Sequence, residues 1–373
     1  MDALPRFIQI DQLVLSGTSV PGGGQATKLV ECIAPDGGAY LFKSYTPDVR
    51  ASVALKPLDA MVAWRLDLSD ADRAELDVRC AWPRALVMEG EAVQGVLIRP
   101  APDTMTDVIV HKGTSRPRPR HLSALARPAA QADKLGLRYY EAPVKLAVLA
   151  RFCGTMLWLH ERGYAVGDLQ PLNAMFSYEA HTADVMLIDC DACAPLTGRP
   201  ALLPQDPEIW KTPTPEPFGV RTDLYKFAWM VVRCLQENLE CPAPDPDRLR
   251  SLMQTRTLDT LVGLCAGHDV PGAGLLLRDK ASAWPAMVTP NALYVQTDES
   301  MRRLWLPEGA VPPAPAQPWA QDLGGGADLT STARPRRAPS PAPAPSGEGV
   351  PARLVVAVLV VLLIAAVLAF LNR

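Results

Sequence analysis

Four residues of this chain have types and spacings that suit one piece of chemistry. Asp168 and Asn173 stand five positions apart in YAVGDLQPLNAMF, and Asp189 closes a short apolar run in VMLIDCDAC. One carboxylate can orient an attacking hydroxyl, while an amide and a second carboxylate hold magnesium against phosphate oxygens. Lys43, within AYLFKSY, adds a point charge for phosphate. Gly22, Gly23 and Gly24, followed by Gln25, form a turn whose backbone N–H groups can approach a phosphate. Turn-capping would account for any one of these carboxylates alone. It would not account for the ordered series of helix, loop, hairpin and closing carboxylates.

The elements that must position these residues follow from periodicity. Residues 139–162 place Val144, Leu146, Leu149, Phe152, Met156, Leu157 and Leu159 at helical spacing, and Gly163 follows as a stop. The loop with Asp168 comes next, then a hairpin and a strand over 185–188 that delivers Asp189. Upstream, residues 12–16, 27–33 and 39–45 read as three short antiparallel strands, with glycines between the first two and a Pro35-Asp36-Gly37-Gly38 turn between the last two. Ser69 and Asp72 suit a helix start ahead of Glu75. Residues 246–265 read as helical, and 281–306 as helical or irregular.

GDLQPLN together with LIDCDA resembles the catalytic loop and metal-binding segment of the protein-kinase-like superfamily, in the form of a bacterial group that has GDLxPxN in place of HRDLKPEN. The resemblance implies an α+β fold of two lobes, a β-rich N-lobe over 1–102 and an α-helical C-lobe over 103–310, with ATP and magnesium as cofactors. Carried over, it makes Asp168 the catalytic base, Asn173 and Asp189 the magnesium ligands, and Lys43 the strand lysine on the α- and β-phosphates. Gly22 to Gln25 would be the phosphate-covering loop, and Gln170 stands where the catalytic-loop lysine binds the transferred phosphate.

Further stretches extend the likeness from about residue 13 to 235. Thr214-Pro215-Glu216 is similar to the end of an activation segment. TDLYKFAWMVVRCL resembles the buried helix whose first Asp, here Asp223, braces the catalytic loop through backbone N–H groups. Cys80-Ala81-Trp82-Pro83 and GVLIRP look like the N-lobe of the same bacterial group.

The departures are as specific as the matches. Val166-Gly167 replaces His-Arg, so no arginine stands ready for a phosphorylated activation segment. Gln170 removes a transition-state charge. Asp191 stands where a glycine is usual, as an extra metal ligand or a helix cap. For the carboxylate that pairs with Lys43, Asp59 has the better spacing and Glu75 the better residue type. His160 reads as a packing or capping residue, and the scattered tryptophans, Trp64, Trp158, Trp229 and Trp284 among them, as core.

Composition bounds the rest. A formal net charge of -3 gives no broad basic field for nucleic acid, and RPRPRH at 116–121 reads as a solvated loop, with anionic lipid as the lesser alternative. Eight scattered cysteines read as free thiols, and Cys190-x-x-Cys193 has no second pair with which to hold zinc. Residues 311–352 turn to Pro, Ala, Gly and Ser, the composition of a disordered linker. Residues 354–371 then run LVVAVLVVLLIAAVLAFL, about 27 Å as a helix and enough for a membrane span, within a transmembrane segment placed at 353–371. Arg334, Arg336, Arg337 and Arg353 precede it and Arg373 follows, which predicts a cytoplasmic N-terminal domain and nothing of domain size beyond the bilayer.

Three functions fit this reading: a membrane-tethered kinase acting on protein Ser/Thr hydroxyls, a pseudokinase that binds nucleotide and scaffolds partners, and a small-molecule phosphotransferase of the aminoglycoside or choline kinase type. Each takes ATP and magnesium, and none involves nucleic acid.

Overall fold

Alternating apolar residues and tight turns at the N-terminal end build a curled six-stranded sheet. The computed structural model describes residues 4–21, 26–111, 114–179, 182–203, 206–213, 216–253, 255–270 and 273. The strands of the sheet are β1 (Phe7–Gln9), β2 (Val14–Pro21), β3 (Ala26–Ile33), β4 (Ala39–Tyr45), β5 (Ala85–Glu89) and β6 (Ala92–Ile98), in the spatial order β1-β5-β6-β4-β3-β2. The pairs are antiparallel except β1 with β5. The three strands expected at 12–16, 27–33 and 39–45 are present, and the first starts later and runs on to Pro21 because the residues after Ser16 continue to pair with β3.

The β3–β4 turn is closed by Asp36, whose carboxylate accepts from Gly38 N at 2.9 Å and from the Tyr40 hydroxyl at 2.7 Å. Gly37 takes a φ of 76° there, where a side chain would be strained. A second glycine is required by contact. On β6, a Cβ at Gly95 would lie 1.9 Å from the Lys43 carbonyl oxygen, so only glycine lets β6 reach the strand that carries Lys43.

Between β4 and β5 the chain forms α1 (Pro47–Ser52), α2 (Leu55–Asp67) and α3 (Asp70–Arg79). Ser69 caps α3 by accepting from Asp72 N at 3.1 Å, as Ser69 and Asp72 predict. Beyond the sheet, β7 (Thr106–His111) and β8 (Thr114–Pro119) form a hairpin. RPRPRH is therefore a strand end and not a loop, although Pro117, Arg118 and Pro119 are exposed as a solvated segment would be. Its first part is strand β8, and Arg120 is buried with its guanidinium on Asp107 at 2.8 Å and the Thr104 carbonyl at 3.0 Å.

The remainder is mainly helical: α4 (Ala129–Lys134), α5 (Ala142–Glu161), α6 (Val220–Leu235), α7 (Pro246–Arg250) and α8 (Thr255–Cys265). Inserted between α5 and α6 are β9 (Tyr164–Ala165), the hairpin β10 (Ala174–Glu179) and β11 (Thr182–Leu187), and β12 (Ala194–Pro195), which pairs with β9. The helix expected over 246–265 is divided into α7 and α8, because residues 251–253 form a turn.

α5 is apolar and long enough to cross a membrane, yet 78% of its most apolar window is buried against its neighbours, which makes it the core helix of the helical part. The linker at 311–352, the expected span at 354–371, the segment 281–306 and Trp284 lie outside the described residues.

One hydrophobic core joins the sheet to the helices. Trp64 on α2, Trp82 before β5 and Tyr164 on β9 meet with ring centroids 4.7–5.0 Å apart, and Trp82 Nε1 donates to the Met61 carbonyl at 3.0 Å. Beside them, Ala81 N donates to the Leu187 carbonyl at 2.8 Å. Trp158 is partly buried against this core and Trp229 lies within it. All eight cysteines are free and buried.

Candidate functional site

The loop between β9 and β10 carries Asp168, and it is held from below by α6. Asp223, fully buried near the start of α6, accepts from Val166 N at 2.7 Å and Gly167 N at 3.1 Å, and its Oδ2 also meets His160 Nε2 at 2.8 Å. A carboxylate with three polar partners inside a core is satisfied, and it fixes the backbone that precedes Asp168. Gly167 takes a φ of 74°, so the left-handed turn that presents Asp168 accounts for the glycine at this position. His160 is neither a cap nor plain packing. It is a member of this brace.

Asp168 has both carboxylate oxygens occupied by amides. Gln170 Nε2 donates to Oδ1 at 3.0 Å, and Asn173 Nδ2 donates to Oδ2 at 2.9 Å and to the Asp168 carbonyl at 3.0 Å. Burial pushes the Asp168 pKa up to about 6, with Lys226 opposing the rise and Asp206 adding to it. Lys226 and Asp206 are residues that the sequence reading missed. Lys226, one turn after Asp223 on α6, is fully buried and donates to the Gly167 carbonyl at 2.8 Å and to Asp206 Oδ1 at 2.6 Å. A cation thus stands directly under the loop whose surface residue, Gln170, is uncharged. The signal for it was the lysine inside the otherwise apolar run LYKFAWMVV.

Asn173 connects this loop to Asp189 through the backbone, its carbonyl accepting from Ile188 N at 2.9 Å. Asp189 follows β11 in a left-handed conformation, φ 58° and ψ 33°, an uncommon choice for a non-glycine residue and one often found at functional turns. Its side chain is 41% exposed, whereas Asp191, two residues on in the same turn, is 1% exposed.

Lys43 reaches this turn from β4. Its Nζ lies 2.7 Å from Asp191 Oδ1 and 3.3 Å from Asp189 Oδ1, and the Tyr45 hydroxyl donates to Asp191 Oδ2 at 2.8 Å. Burial alone would lower the Lys43 pKa, but the charges of Asp191 and Asp189 reverse this and raise it. Neither expected partner is used. Glu75 pairs with Arg79 one turn along α3, and Asp59 pairs with Arg6. Helical spacing favours the first pair. Asp191 is neither a cap nor a free ligand, since both of its oxygens are spent on β4 side chains.

Asp168, Asn173, Asp189, Lys43 and Gln170 are therefore brought together in one connected network. Gly22, Gly23, Gly24 and Gln25, with Thr214 and Pro215, lie outside the described residues. Asn173 commits its amide nitrogen to Asp168, so its Oδ1 and the half-exposed Asp189 carboxylate are the hard oxygens offered to a cation. Among the described residues no cluster of three or more His, Cys, Asp or Glu side chains is built to hold a metal unaided. No protein-family model matches this chain, and no curated protein sequence is similar to it.

Proposed function

We propose that the chain is a protein-kinase-like phosphotransferase, which moves the γ-phosphoryl group of ATP to a protein hydroxyl with magnesium and works beside a membrane to which residues 354–371 tether it. The observation that carries this reading is the network itself. A braced loop carboxylate at Asp168, two hard oxygen donors at Asn173 and Asp189 and a buried cation at Lys43 adjoin one another. Phosphoryl transfer is catalysed by positioning and charge neutralisation, and these are the groups it uses.

Asp168, with its pKa near 6, is ionised at neutral pH and basic enough to accept a hydrogen bond from an incoming hydroxyl. Asn173 and Asp189 would hold magnesium, whose other ligands come from phosphate and water, and the metal supplies neutralisation of phosphate charge. Lys43 would bind the α- and β-phosphates, and Gln170 would give the transferred phosphate an amide where a charged lysine is usual.

One observation favours a second reading, a nucleotide-binding pseudokinase that assembles partners: both Asp168 oxygens already have amide donors, one of them from Gln170. Incubation of the full chain with labelled ATP, magnesium and a generic protein acceptor separates the two. Label incorporated by the wild type and lost in Asp168→Asn supports the kinase reading. Magnesium-dependent ATP binding without transfer to protein, or to hydroxylated small molecules, supports the pseudokinase.

A further inference from the structure

We propose that Asp191 is the positioning residue for Lys43, and that it keeps Lys43 from competing with magnesium for Asp189. This rests on the reading of Asp189 as a metal ligand, and it adds a role that the reading does not contain. Two carboxylates share one ammonium in the turn after β11, and they are not equivalent. Asp191 is buried, and its two oxygens are satisfied by Lys43 and Tyr45. Asp189 is half-exposed and holds Lys43 at the longer distance of 3.3 Å.

A divalent cation arriving from solvent meets Asp189 and not Asp191. When it takes Asp189, Lys43 loses only its weaker partner and stays anchored by Asp191, beside the metal and within reach of phosphate. Without the Asp191 charge, Asp189 would be the one carboxylate among the described residues that pairs with Lys43. A buried ammonium pairs strongly with its one carboxylate, so the metal would have to break that pair. Neither of the two helix carboxylates expected to pair with Lys43 stands in reserve, since Glu75 and Asp59 hold Arg79 and Arg6. It follows that the anchoring of Lys43 is built from β4 and the turn after β11, and displacement of α2 or α3 does not switch it.

The test is a magnesium titration of the full chain at saturating ATP, read as the thermal midpoint. In Asp191→Asn the magnesium concentration for half-maximal stabilisation is expected to rise roughly tenfold, the effect of strengthening one ion pair by about one pKa unit. In a Lys43→Met background, where the competitor is gone, Asp191→Asn is expected to leave the magnesium requirement unchanged. Glu75→Gln and Asp59→Asn are expected to titrate like wild type. An unchanged requirement in Asp191→Asn, an equal rise in both backgrounds, or a rise in either helix variant would overturn the proposal. A rise in either helix variant overturns the proposal even where Asp191→Asn folds poorly. A wild-type chain that ATP and magnesium do not stabilise at all would instead count against the phosphotransferase reading.

Discussion

At the scale of single residues, the site is a partly buried anion balanced between a cation and a second anion. Asp168 has a pKa near 6, above the ordinary carboxylate value, because burial outweighs Lys226 and the two amides. The folded state therefore binds this proton more tightly than the unfolded chain, so the group lowers stability as pH rises through about 6. Asp168→Asn should accordingly raise stability at pH 7.5 by up to about 3 kcal/mol, read as a higher thermal midpoint, while abolishing transfer under the proposed reading. Because the ionised form is the one that accepts a proton, transfer should fall on acidification with a limb near pH 6. Two variants should move that limb in opposite directions. Lys226→Met removes the opposing charge and shifts it to higher pH, and Asp206→Asn removes the reinforcing charge and shifts it lower. Lys226→Met should also cost about 3–5 kcal/mol, measured by urea denaturation, because it leaves Asp206 unpaired. None of this balance was legible from spacing. Lys226 and Asp206 are far from Asp168 in sequence, and only folding over α6 brings them under the loop.

At the scale of elements, legibility tracked how local the cause is. Helix α6 is expected from its resemblance alone, whereas the meander β2–β4, the cap of α3, helix α5 and the β10–β11 hairpin all follow from alternation, turn chemistry and helical period within the segment itself. The partner of Lys43 did not, because a strand lysine selects its carboxylate across the fold. The nearest sequence clue was Tyr45, which shares a face of β4 with Lys43 by the period of two and meets the same carboxylate. Strand β6 carries a related hidden constraint. Gly95→Ala would set a Cβ against the Lys43 carbonyl oxygen, forcing β4 and β6 apart at the residue that feeds the site. Overpacking of this kind costs about 1–3 kcal/mol or more, so the variant should show a lowered denaturation midpoint together with weakened ATP-dependent stabilisation. Gly90→Ala, at a left-handed turn position with open space around it, should lower the midpoint by only about 1 kcal/mol and leave ATP binding intact.

At the scale of the whole described region, the question is whether sheet and helices melt together. Among the links that cross between them are the pairing of Lys43 with Asp189 and Asp191, the backbone bond from Ala81 to Leu187, and the aromatic cluster of Trp64, Trp82 and Tyr164. Two of these links end in the turn after β11 or on the strand that leads into it, so the site lies on the seam. A seam bound by polar contacts alone would open readily, since ion pairs return much of their energy as desolvation. Here Trp82, 1% exposed and contiguous with one core, adds an apolar contribution that ion pairs do not match. Trp82→Ala should cost about 3–5 kcal/mol by the loss of a buried aromatic. The more telling outcome is cooperativity. In the wild type, far-ultraviolet circular dichroism and tryptophan fluorescence should report one coincident transition in urea. In Trp82→Ala the two probes should separate, with the sheet melting first because it loses a large buried aromatic from the core it shares with the helices. Coincident transitions in the variant would mean that the rest of the shared core, with the polar links, holds the seam without Trp82.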